Sequence, residues 1–126
     1  SFVKHLSEMR YKDARVWWVP GAFELPAAAA KLAGGPHPPH AIIALGALIH
    51  GQTLQYAVIA HAVASGLTEV SVRYRLPVAF GVIVAQSAAQ ARARAGGRLG
   101  NRGEEAAEAA LSLLATFRSM DQDRDS

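Results

Sequence analysis

The sequence predicts one α/β domain, residues 1–126, built on a parallel sheet. Three observations predict it. Ala41–Leu48 and Pro77–Val84 are continuous apolar runs with β-branched content, as expected of strands buried on both faces. Helical periodicity follows each run. Strands and helices alternate along the chain, the order that βαβ crossovers produce.

Ser1–Met9 sets Phe2, Val3, Leu6 and Met9 at helical spacing and reads as the end of a helix. Ala14–Val19 is β-branched and aromatic, and Pro20-Gly21 stops it, so it is expected to be a strand. Glu24–Ala33 is rich in alanine and leucine and closes at Gly34-Gly35, the pattern of a helix with a glycine stop. The following stretch, Gly34–Pro39, holds three prolines and is expected to be irregular. Beyond the Ala41–Leu48 strand and Gly51, helical periodicity runs over Thr53–Arg73 through Val58, Ala62, Leu67 and Val70, with Thr53 as N-cap. Pro77–Val84 is the next strand, and Ser87–Ala95 a short helix that Gly96-Gly97 breaks. Asn101 then caps a last helix, Gly103–Met120. Glu104 and Glu105 fall in its first turn, where the dipole favours carboxylates. The charged tail, residues 121–126, is expected to fray.

Composition narrows the function. A chain of 126 residues with 51% hydrophobic and 18% charged residues supports one ordinary core and no second one. Without cysteine, disulfides, thiolate metal sites and a cysteine nucleophile are excluded. The formal charge of +3 comes mainly from arginines between Arg92 and Arg102, a patch that suits an anionic small molecule or nucleic acid. No apolar run is long enough to span a bilayer, and Lys4, His5, Glu8 and Arg10 interrupt any signal-peptide pattern. These features predict a cytoplasmic protein; a plastid protein stripped of its targeting segment is the other reading.

Ligands of parallel sheets bind beyond the carboxyl ends of the strands. At the first such edge, Ala22, Phe23 and Glu24 follow Pro20-Gly21. Phe23 could face a planar ring, and Glu24 could accept hydrogen bonds from hydroxyls or amines. A plain turn with a buried phenylalanine and a dipole-matched glutamate is the alternative. At the second edge, Gly51, Gln52 and Thr53 open a helix and could bind an anion through backbone N–H groups and the threonine hydroxyl. Equally, Gly51 could simply turn the chain and Thr53 cap it. Arg94, with Arg92, Arg98 and Arg102 nearby, could neutralise a phosphate there or remain solvated. His5, His37, His40, His50 and His61 lack metal-ligand spacing, so no metal is expected.

Four segments together resemble the 6,7-dimethyl-8-ribityllumazine synthase family: VPGAFELPAAAAKLA (Val19–Ala33), AIIALGALIHGQT (Ala41–Thr53), LPVAFGVIV (Leu76–Val84) and QARARAGGRLGNRGEEAA (Gln90–Ala107). They stand in the right order at the right intervals. The resemblance implies a three-layer α/β/α fold with a parallel, flavodoxin-like sheet. It also implies a transferase of riboflavin biosynthesis that needs no cofactor. In that family a ribitylamino-pyrimidinedione condenses with a four-carbon ketone phosphate: the amine forms an imine, phosphate is eliminated and the ring closes.

By that resemblance, Ala22, Phe23 and Glu24 hold the pyrimidine and its ribityl chain, and Ala47, Leu48 and Ile49 line the same pocket. Phe80 closes it from a neighbouring subunit. Gln52 and Thr53 form the phosphate turn, and Arg94 pairs with the phosphate. The family is pentameric, its pentamers can form hollow shells, and riboflavin synthase is a possible partner. No nucleic-acid or membrane partner is implied.

Two departures stand out. Gln55 occupies the position of the family's proton-transferring histidine, and an amide cannot exchange a proton near neutral pH. Turnover is therefore expected to be reduced, with Gln55 and Arg94 as the residues nearest the chemistry. His50 replaces a common arginine, and Ala57 and Ala62 stand where carboxylates are usual. In addition, no segment here matches the family's first strand, which lies between those matching Ala14–Val19 and Ala41–Leu48. The alternative function is a weak or inactive shell-forming scaffold. Nucleic-acid binding through Arg92–Arg102 is a distant third, disfavoured by the mild charge.

Overall fold

The computed structural model describes residues 14–49, 56–85, 89 and 102–125. A single 3₁₀ turn, Ala22–Glu24, leads into α1 (Leu25–Ala33). Then follow β1 (Ile42–Ile49), α2 (Tyr56–Tyr74), β2 (Val78–Ala85) and α3 (Arg102–Asp125). β1 and β2 pair in parallel, from Ile42 opposite Val78 to Ile49 opposite Ala85. Helices α1 and α2 cover one face of this pair and α3 the other, giving the expected three layers.

Alternation along β1 explains the layering. Ile42 and Ala44 point towards α1 and α2, where they are buried with Ala29, Ala33, Val63, Leu67, Val70 and Leu76. Ala41 and Ile43 point the other way, against Ala79 of β2 and Ala106 and Ala110 of α3. Both strands thus contact apolar neighbours on two faces, as their unbroken hydrophobicity predicts.

Three expectations need correction. Ala14–Val19 forms neither strand nor helix, and Trp18 is 92% exposed. High β-propensity needs a ladder to act on, and among the described residues only β1 and β2 pair. In α2, Val58 and Ala62 face solvent. The buried stripe runs instead through Ile59, Val63, Leu67, Val70 and Tyr74, whose steps of three and four residues follow the 3.6-residue period more closely. The charged residues 121–125, expected to fray, continue α3 to Asp125. Of the expected helix Ser87–Ala95, residue 89 is helical and the rest lies outside the described residues, as do Ser1–Met9, Thr53 and Asn101.

The passage from α2 to β2 is tight. Arg75 adopts φ 56, a left-handed conformation that costs a side-chain-bearing residue about 1–2 kcal/mol. Locally it is offset by the Ser71 hydroxyl, which donates to the Leu76 carbonyl at 2.7 Å. The Ile42 N–H donates to the Pro77 carbonyl at 2.8 Å, so the pairing starts at the strand entrance.

Candidate active site

β1 and β2 end level with one another, Ile49 opposite Ala85. Ala47, Leu48 and Ile49 form the last three positions of β1, and their backbone pairs with Ile83, Val84 and Ala85. A ligand bound beyond the sheet would meet this edge first.

The turn Ala22–Glu24 approaches β1 at Gly46, three residues before that edge. The Glu24 N–H donates to the Gly21 carbonyl at 3.2 Å and closes the turn. Proline in the first turn of α1 then fixes the helical φ without sacrificing a needed N–H. Alternation puts Gly46 on the face covered by α1 and α2. A Cβ there would lie 3.5 Å from Ala22 Cβ and 3.5 Å from Leu25 Cδ1. The turn therefore lies over the backbone of β1 with room for little more than a methyl group. The sequence reading overlooked Gly46. A lone glycine inside an otherwise branched strand is the signal that marks such a close approach.

Phe23 is 63% exposed, against the buried role that the plain-turn reading assigned to it. Glu24 is exposed as well, and its carboxylate folds back until Oε2 is 3.1 Å from where a Gly21 Cβ would stand. An aromatic face and a hydrogen-bond acceptor are thus offered at adjacent positions. Phe80 lies opposite Ala44 on β2, on the same sheet face as Val78, and is 42% exposed. No described element of the chain closes over it fully.

Gln52, Thr53, Gln55 and Arg94 lie outside the described residues. The structure brings the Ala22–Leu25 segment, which carries Phe23 and Glu24, over Gly46 in the second half of β1. Among the described residues no cluster of three or more His, Asp or Glu could hold a metal, and no helix is long and apolar enough to cross a membrane.

Known proteins match this chain closely. The family profile of 6,7-dimethyl-8-ribityllumazine synthase matches residues 1–118. The enzyme of that name from Buchnera aphidicola subsp. Baizongia pistaciae (strain Bp) is 39% identical over 122 residues, which cover 97% of this chain and 76% of the relative. The protein of the same name from Sodalis glossinidius (strain morsitans) is 40% identical over 118 residues, covering 94% of this chain and 75% of the relative.

Proposed function

The chain belongs to the 6,7-dimethyl-8-ribityllumazine synthase family, and on that premise we propose that its reaction runs at the carboxyl ends of β1 and β2. It is a transferase of riboflavin biosynthesis. It condenses 5-amino-6-ribitylaminouracil with 3,4-dihydroxy-2-butanone 4-phosphate to give 6,7-dimethyl-8-ribityllumazine. The observation that best supports the site is the exposed Phe23–Glu24 turn seated over Gly46.

In this reading Phe23 stacks on the pyrimidine, while Glu24 accepts hydrogen bonds from the ribityl hydroxyls. Ala22, Ala47, Leu48 and Ile49 form the wall beside them. Gln52 and Thr53 hold the phosphate, and Arg94 neutralises it, so that phosphate can leave once the imine has formed. Gln55 orients the reacting amine without exchanging a proton, which leaves much of the rate to positioning. Phe80 closes the pocket of an adjacent subunit, and its partly open ring suits that role. The protein works as a pentamer or a shell of pentamers in the cytoplasm, and riboflavin synthase takes up its product.

Lumazine formation from the two substrates, followed by absorbance with the purified assembly, tests the activity. Saturable production above the uncatalysed background is expected. Background-level production with the pyrimidine still bound would leave the scaffold reading in its place. Replacing Arg94 by alanine should raise the KM of the ketone phosphate by about 10–100-fold, the worth of a hydrogen bond to a charged group, with the pyrimidine KM little changed. Equal changes in both would remove Arg94 from the phosphate. Gln55→His should raise kcat by about 10²-fold, the lower end of what general acid–base catalysis contributes. An unchanged kcat would show that residue 55 is not where the proton moves.

A further inference from the structure

Gly66 stands in the middle of α2, where glycine is the poorest helix former after proline. Its surroundings account for it. A Cβ at this position would lie 2.8 Å from Pro26 Cβ and 2.9 Å from Pro26 Cγ. Those atoms belong to a ring closed onto the backbone, so they cannot swing aside as the end of a flexible chain does. A methyl group on residue 66 would have to move the first turn of α1 itself.

Pro26 follows Glu24 by two residues. On the other side, Ala22 and Leu25 lie at contact distance from the position of a Gly46 Cβ. The Phe23–Glu24 turn is therefore held between two glycines, Gly66 acting through Pro26 and Gly46 through Ala22 and Leu25.

We propose that Gly66 is a positioning residue for the condensation. Its missing side chain lets α2 seat Pro26, and that seat sets the height of Phe23 and Glu24 above β1 at Gly46. Gly66 touches no substrate. The proposal rests on the reading of Phe23 and Glu24 as the pyrimidine contacts.

The test is steady-state kinetics of Gly66→Ala in the full assembled protein, with KM measured for each substrate and thermal unfolding recorded beside it. The pyrimidine KM should rise about tenfold, inside the roughly 10²-fold that a 1 Å misplacement can cost, while the ketone phosphate KM stays within about twofold. Adding Pro26→Gly removes both crowding ring atoms and should return the pyrimidine KM to within about threefold of the parent. A glycine needed only for folding would lower the thermal midpoint or the active fraction with both KM values unchanged, and that result overturns the proposal. Where Gly66→Ala does not fold, the double variant decides. Folded with a near-parental pyrimidine KM, it supports the proposal; unfolded, or with both KM values raised alike, it overturns it. Glu24→Gln run in parallel separates the premise from the inference. If it leaves the pyrimidine KM unchanged, the reading of the turn fails. If it raises that KM while Gly66→Ala does not, only the role of Gly66 fails.

Discussion

The two faces of the β1–β2 pair are covered by different chemistry. On one, α1 and α2 enclose Val63, which is fully buried, and Leu67, which is 2% exposed, together with Ile42, Val70 and Leu76. On the other, the buried contacts between sheet and α3 among the described residues are alanines, Ala79 against Ala106 and Ala110, with Ile43 partly buried beside them. Apolar burial contributes about 25 cal/mol per Å², so among the described residues branched side chains make the first layer the stronger one. Alanines let α3 lie close to the sheet but remove less surface from water. Moreover, α3 outruns its support: its 24 residues extend about 36 Å, against about 26 Å for the eight-residue strands. Leu113, at its midpoint, and Met120, in its second half, remain exposed. The contrast teaches that the candidate site is anchored by the heavier layer, because the Phe23–Glu24 turn is continuous with α1.

Leu67→Ala attacks that anchor and carries the largest expected effect. Removing the enclosed isopropyl end of this side chain forfeits its transfer free energy and leaves a cavity, together about 2–5 kcal/mol. Urea or thermal unfolding of the assembled protein measures the loss. The pyrimidine KM should rise with it, since α2 loses the contact that presses it towards α1. A loss below about 1 kcal/mol would mean that the α1–α2 layer is not where the stability resides.

Much of this arrangement was legible in the sequence, for physical reasons that differ by element. β1 and β2 were visible because strands buried on both faces have no polar positions to break the apolar run. α1 was visible from Gly34, whose N–H donates to the Ala30 carbonyl at 2.9 Å where the helix stops. Ala14–Val19 misled because its aromatic and β-branched composition reports a preference for pleated surfaces without reporting a partner. Val58 misled because α2 carries apolar residues on its exposed face too, Val72 being 74% exposed, which blurs the phase of the buried stripe. Within the site, Phe23 and Glu24 could be found from the Pro-Gly turn that precedes them. The supports, Gly46 and Gly66, are marked in the sequence only as glycines inside a strand and a helix; what each of them faces, Ala22 and Leu25 or Pro26, is set by the packing.

Ala110→Gly makes the opposite test on the lighter face and carries the smallest expected effect. Ala110 is 2% exposed and lies in the first half of α3, where the helix still rests on the sheet. The substitution removes one methyl group and adds backbone freedom in the unfolded chain, together about 1–2 kcal/mol. Unlike Leu67→Ala, it should leave both KM values where they were, because among the described residues the α1–α2 core cluster that carries the Phe23–Glu24 turn includes no residue of α3. Unfolding and steady-state kinetics on the same sample check both halves of that expectation. If the pyrimidine KM moves as far as it does with Leu67→Ala, strain crosses the sheet freely. The two faces would then act as one body, and the anchoring of the site could not be assigned to α1 and α2.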